Sequence, residues 1–295
     1  MKELKNKHHD VSNMNISKLL FVVIFNFIIT LAELIGGLLS GSLSLLSDAL
    51  HNLSDTAAIL LSYVSMRIAS RPISKERTYG HNRANILSAF VNASVLIGIS
   101  GYLFVEAFKK FINPSPIEGN TVVVVAIIGL LGNLFSVLLL RKGSKDNINM
   151  KSSYLHLLSD TFSSVAVIIS GFLIKYTNMF WIDPILTVFI NIIIIKSSYA
   201  VLKESIQILM EGTPEGIDIE EVIEELKEIQ GIKAISHIHI WRLDENNINL
   251  EAQIQTDDML ISETQKIYKE INDHLHEHFD INHAIIQFVV DEYKH

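Results

Sequence analysis

From Lys18 to Arg67 the chain is almost wholly apolar, interrupted near its middle by Gly36, Gly37, Ser40, Gly41 and Ser42. Each arm exceeds the ~20 residues that a helix needs to cross hydrocarbon. The stretch therefore predicts two spanning helices, about 17–40 and 44–68. Similar runs follow at about 84–110, 120–141, 153–175 and 181–203, separated by turns carrying Asn113, Pro114, Pro116, Gly119 or the Asp183-Pro184 step. The first run is too long for a cleaved leader and lacks an Ala-x-Ala end, so it is read as a span. Six spans result. Beyond Gly212 the period changes. Ile217, Ile219, Val222, Ile223, Leu226 and Ile229 recur at helical spacing up to Gly231, and alternating runs at 234–243 and 248–256 predict strands. A helix at about 262–279 and a strand at 283–290 complete the order α-β-β-α-β. The expected fold is an α-helical membrane protein with six transmembrane helices and a small α+β domain, divided as a 1–16 tail, a 17–211 membrane part and a 212–295 domain.

Composition agrees with this division: 49% of residues are hydrophobic and 19% charged, the latter against roughly 25% in soluble domains. Disorder is excluded. The formal net charge of -8 hides an uneven distribution, because residues 1–211 hold 18 Lys/Arg and 13 Asp/Glu (+5) while 212–295 hold 6 and 19 (-13). An acidic domain argues against nucleic acid as a partner. The basic segments are the amino-terminal tail (Lys2, Lys5, Lys7), the second turn (Arg67, Arg71, Lys75, Arg77, Arg83) and the fourth (Arg141, Lys142, Lys145, Lys151). By the positive-inside rule both termini are cytoplasmic, and so is the acidic domain.

Ionisable side chains inside a bilayer are costly, and each is a functional hypothesis by default. Here they repeat. His51-x-x-x-Asp55 in the second span and His156-x-x-x-Asp160 in the fifth set an imidazole and a carboxylate one turn apart on one helix face. Three crossings separate these spans, so they run antiparallel and the His of one is level with the Asp of the other. Two nitrogens and two oxygens suit tetrahedral zinc, with cobalt, cadmium or iron as further candidates; magnesium and calcium want more oxygens and copper(I) wants sulfur. Cys is absent. A divalent ion with two carboxylates and two neutral imidazoles sums to zero charge. Without the ion the two acids repel, and His51 and His156 are the easiest groups to take protons near neutral pH. Metal and proton are thus expected to compete for one site. Asp48, a turn before His51, is a candidate gate or proton relay, whereas Glu33 and Glu106 are read as packing or interfacial residues.

At these residues the chain resembles the cation diffusion facilitator family, in its bacterial zinc, cobalt and cadmium exporter branch. The likeness is carried by Gly41-Ser42-Leu43-Ser44-Leu45-Leu46-Ser47-Asp48-Ala49 leading into His51 and Asp55, Tyr79-Gly80-His81-Asn82-Arg83, Tyr154-Leu155-His156 with Asp160, Trp181-Ile182-Asp183-Pro184, Leu209-Met210-Glu211-Gly212-Thr213-Pro214 and His239-Ile240-Trp241. The resemblance implies a homodimeric proton antiporter in the plasma membrane. It also implies a metallochaperone-like (ferredoxin-like) cytoplasmic domain and a transport site of His51, Asp55, His156 and Asp160. It implies no tightly bound cofactor: the metal is substrate and the proton the coupling ion. The chain departs from the family at Asn85, where Glu is usual, and in the second turn, where only His81 matches a further ion site beside Ser74 and Arg77.

In the carboxy-terminal domain His237, His239 and Trp241 alternate onto one strand face. His237, His239 and His283 are the metal candidates there, with Ser236 and Gln253 standing where relatives have His. His274 and His278 share a helix face and are read as solvated, with at most weak binding. His8-His9-Asp10 in the tail is a candidate metal collector. Two other readings use the same four ligands or the domain: a membrane-embedded zinc hydrolase, or a membrane-anchored metal sensor. Hydrolytic zinc keeps an open position and usually three protein ligands, and a sensor leaves the intramembrane charges unused. No G-x-x-x-x-G-K-[ST] loop is present for an ATP-driven pump.

Overall fold

A computed structural model describes residues 23–140, 148–244 and 247–290, with side chains described except at 139–140 and 148–157. The tail with His8-His9-Asp10, the start of the first span and the side chain of His156 fall outside the described residues. The described helix α1 covers Val23–Ser40. It is followed by α2 (Leu43–Ala69), α3 (Ala84–Ile112), α4 (Gly119–Leu140), α5 (Ile148–Thr177) and α6 (Ile182–Leu209). All but α2 are long and apolar enough to cross a membrane. At 27 residues α2 has the length, but Ser44, Ser47, Asp48, His51, Asn52, Ser54, Asp55 and Thr56 dilute its hydropathy. The predicted boundaries held to a few residues, except that α5 starts near 148 instead of 153 and α6 runs to Leu209 instead of 203. Those extra turns carry polar residues such as Glu204 and Gln207, which hydropathy leaves out and helix propensity does not.

Two compact units form: residues through Leu60 with Asn92–Tyr199, and Leu61–Val91 with Ala200 onward. In the first unit, helices approach through glycine. A Cβ at Gly36 would lie 2.7 Å from Val125, and one at Gly132 2.0 Å from Ile29, so α1 and α4 meet where no side chain intervenes. Gly119 and Gly171 do the same for α4 and α5, with a Cβ at Gly119 only 2.8 Å from the backbone N of Lys175. Side-chain amides and hydroxyls join the remaining helices: Asn191 donates to Ser47 at 2.8 Å and Ser54 to Asn92 at 3.3 Å. In the apolar interior each such bond satisfies groups that lipid cannot.

The second unit contains the carboxy-terminal domain: α7 (Ile219–Lys227), β1 (Ala234–Arg242), β2 (Ile248–Gln255), α8 (Ile261–Phe279) and β3 (His283–Val289). The order is the one predicted. Asp218 caps α7 by accepting from the Glu220 N–H at 2.9 Å, and Glu263 accepts from the Leu260 N–H at the start of α8, also at 2.9 Å. The sheet order is β1-β2-β3, with β1 and β2 antiparallel and β2 and β3 parallel. Both helices cover one face, where Val222, Leu226, Ile271 and Leu275 meet Leu250 and Ile254.

Candidate metal centre

The approach of α2 to its neighbours begins at its first turn. Asp183, at the start of α6, is fully buried. Its Oδ1 accepts from Ser42 Oγ at 2.5 Å, Ser44 Oγ at 2.6 Å and the Ser44 N–H at 3.3 Å, while Oδ2 accepts from the Leu43 N–H at 2.7 Å. A carboxylate placed on the exposed N–H groups of a helix start satisfies them and suits the helix dipole. Sequence reasoning took Asp183 for a turn marker. The signal available was its pairing with the Ser42-x-Ser44 helix start, which only the fold brings together.

Farther along α2, His51 and Asp55 share the expected face, with His51 Nε2 3.4 Å from Asp55 Oδ2. Both side chains are partly buried, whereas Asp48 and Asp160 are almost completely enclosed. Ser163 of α5 donates to Asp48 Oδ1 at 2.5 Å, so α2 and α5 are joined directly at this level.

Of the two expectations for Glu33, packing and interfacial, the structure agrees with packing. It is 1% exposed, inside the bundle. Its Oε2 accepts from Asn52 Nδ2 at 3.3 Å, and Oε1 has no hydrogen-bond partner. It interacts electrostatically with both Asp48 and Asp160. Gly129 makes the room, since a Cβ there would lie 1.8 Å from Glu33 Oε1. The missed signal lies in spacing: Asn26, Thr30, Glu33, Gly37 and Ser40 recur at alternating intervals of four and three, a polar stripe on an otherwise apolar helix. Glu106, by contrast, pairs with Lys109 at 3.1 Å near the end of α3.

In the second unit, His81 and His239 line one cavity of about 750 Å³ with Trp241, Glu251, Arg83 and Glu211. Arg83 and Glu211 form an ion pair at 3.0 Å. His237 joins His239 at a smaller hollow with Glu251, Gln253 and Gln287. There β1 carries a bulge: its register with β2 shifts between Ser236 and His239, and His237 has φ +48°. Ile235 and Ile238 both reach the core as a result, and the imidazoles stay on the sheet face away from the helices. His283 does not join them: at the start of β3 it pairs with Asn249, whereas the β3 residues at the hollow are Ile285 and Gln287, opposite Glu251 and Gln253.

A bundle of apolar helices that turns carboxylates and an imidazole inward defines a membrane-embedded cation carrier, with a small α+β domain attached. The family model for the cation efflux transmembrane domain matches residues 19–210, and that for the cation efflux protein cytoplasmic domain matches 214–288. The chain belongs to the cation efflux family, as its motifs indicated, and is a multi-pass transporter; the hydrolase and sensor readings give way. It is 35% identical to the cadmium, cobalt and zinc/H(+)-K(+) antiporter of Bacillus subtilis (strain 168), over 98% of this chain and 93% of that protein. It is 38% identical to the zinc transporter ZitB of Pectobacterium atrosepticum, over 96% and 88%. With the metal cation efflux system protein CzcD of Cupriavidus metallidurans the identity is 35%, over 88% and 81%.

Proposed function

We propose that this protein exports zinc, with cobalt and cadmium as related substrates, in exchange for protons, through a tetrahedral site made by His51, Asp55, His156 and Asp160. The observation that carries the reading is the Ser163–Asp48 bond between α2 and α5. In antiparallel helices of equal rise, a contact between 48 and 163 makes 51 level with 160 and 55 level with 156. Each His then faces an Asp, as four ligands around one ion require. The metals are those named for the relatives from Bacillus subtilis and Pectobacterium atrosepticum, and proton exchange is named for the former.

The membrane part is taken as 17–211 and the domain 212–295 as cytoplasmic, with both termini on that side and two chains forming a homodimer. Metal is then collected from the cytoplasm. Asp48 acts as a gate or relay one turn from the site. The cavity shared by His81 and His239, with His237 beside it, is an accessory cation site on the cytoplasmic side; His283 stands apart. Zinc flux in proteoliposomes with an imposed pH gradient tests the reading. The parent is expected to move zinc, and His51→Ala and Asp160→Ala to lose it. Parental rates in both variants overturn the site, and parental flux that persists unchanged with the gradient collapsed overturns the coupling.

A further inference from the structure

We propose a separate divalent-metal site on the helical face of the carboxy-terminal domain, built from Glu225, His274 and His278, that takes zinc or another borderline cation such as cobalt. The placement follows from the core. Leu226 of α7 and Leu275 of α8 are fully buried in the same cluster, so the residues preceding each, Glu225 and His274, come to the rim of one helix contact. His278 lies four residues after His274 and therefore on the same face. Glu225 Oε2 is 2.7 Å from His274 Nε2 and 3.3 Å from His278 Nδ1. The two imidazoles stack with centroids 4.2 Å apart and an interplanar angle of 16°. One ligand atom from each of the three residues lies within 4.8 Å of the others.

Those separations suit a metal. Zinc bonds to nitrogen and carboxylate oxygen are about 2.0–2.2 Å long, so neighbouring ligand atoms around a tetrahedral ion are about 3.3 Å apart. The His278–Glu225 distance already has that value, and the His274–Glu225 distance needs to open by about half an ångström. Two imidazoles and one carboxylate select borderline ions over magnesium and calcium, which prefer all-oxygen shells. Two histidines at i and i+4 are also a common way for a helix to present a chelating pair. Three protein ligands leave the fourth position to water. The His278 side chain is 51% exposed, so a bound ion stays open to exchange with solvent. The ion bridges α7 and α8, the two helices that cover the sheet.

This site shares no residue with the transport site, and a binding count on the full chain in detergent separates them. Equilibrium dialysis against zinc with elemental analysis is run on the parent, on His274→Ala/His278→Ala, on Glu225→Gln and on Asp160→Ala. His278→Ala alone serves as a second variant, since its exposure makes it neutral for folding, and circular dichroism without metal checks each. Relative to the parent, the double variant is expected to lose one bound ion. Glu225→Gln and His278→Ala are expected to weaken that ion by at least the 10- to 100-fold seen when the support of a metal ligand is removed. Asp160→Ala retains it whether or not it loses an ion elsewhere. An unchanged count and affinity in the folded double variant, or in folded His278→Ala, overturns the proposal irrespective of the result at Asp160.

Discussion

Replacing Asp183 tests whether the start of α2 is held by a carboxylate from another helix. In Asp183→Ala four donors lose their acceptor. The two hydroxyls have an alternative, because Ser42 Oγ and Ser44 Oγ are 3.2 Å apart and can bond to each other. The Leu43 and Ser44 N–H groups have no such recourse, and a buried donor left unpaired costs about 1–3 kcal/mol. Loss of the negative charge at the helix start adds up to about 2 kcal/mol in a buried setting. The total is roughly 2–8 kcal/mol. Asp183→Asn preserves Oδ1, which serves three of the four donors, but turns an NH2 toward the Leu43 N–H. It is expected to cost about 1–3 kcal/mol. Thermal unfolding of the purified protein in one detergent, at a fixed scan rate because membrane proteins unfold irreversibly, should rank parent above Asn above Ala. At roughly 2–4 °C per kcal/mol, the Asn variant falls by roughly 2–12 °C and the Ala variant by at least about 4 °C and further than the Asn variant. An Ala variant that melts within a degree of the parent, or above the Asn variant, refutes the reasoning.

Two further perturbations follow from the same kind of reading. Gly129→Ala places a methyl 1.8 Å from Glu33 Oε1, so the carboxyl must swing off Asn52; overpacking of this kind costs about 1–3 kcal/mol. Melting temperature and zinc flux should both drop, while Gly98→Ala, which meets nothing within 4 Å, should leave them unchanged or raise the melting point; equal melting of the two variants contradicts the close approach. Asp218→Ala removes the α7 cap. Hydrogen bonding from Glu220 holds the Asp218 carboxyl below its ordinary value, so its contribution is fully present above the unfolded value of about 3.9 and is lost as pH falls through the lower folded one. Hydrogen exchange of the α7 amides should be faster than in the parent by a constant factor between pH 7 and 5, and the difference should shrink below pH 4. A difference that grows with acidification contradicts the sign.

How legible the fold was depended on whether a residue's partner is near in sequence. The six helices and the α-β-β-α-β order follow from local periodicity, and Leu243–Asn247 or Asp218–Glu220 contacts close within a few residues. The His51–Asp55 pair was readable because a helix fixes the i to i+4 relation on its own. The setting of Glu33 was not legible because its surroundings are Gly129, Asn52, Asp48 and Asp160, contributed by three other helices. Asp183 was undervalued for the same reason, 141 residues separating it from Ser42. The β1 bulge is a third case: alternation placed His237 and His239 on one face correctly, but nothing local announced that Ser236 would be added to it.

The buried acids of the membrane helices divide by the company they have, and that division sets an acid satisfied by the fold apart from acids left without enough donors. Asp183 is surrounded by donors, four of them within 3.3 Å, and its charge is spread over a helix start. It needs no ion. Glu33 has one donor, leaves Oε1 without a hydrogen bond, and faces two more acids, Asp48 and Asp160. A carboxylate within electrostatic reach of two others inside an apolar bundle is unfavourable unless a proton or a cation joins them. Nothing on the facing surfaces of α1 and α2 supplies it permanently: among the described residues between Val23 and Asp55 there is no Lys or Arg. The compensating charge is therefore no fixed part of α1 or α2, which fits the proposed exchange of a metal cation for protons at this level of the bundle. Asp183, by contrast, has its charge satisfied by the start of α2 itself.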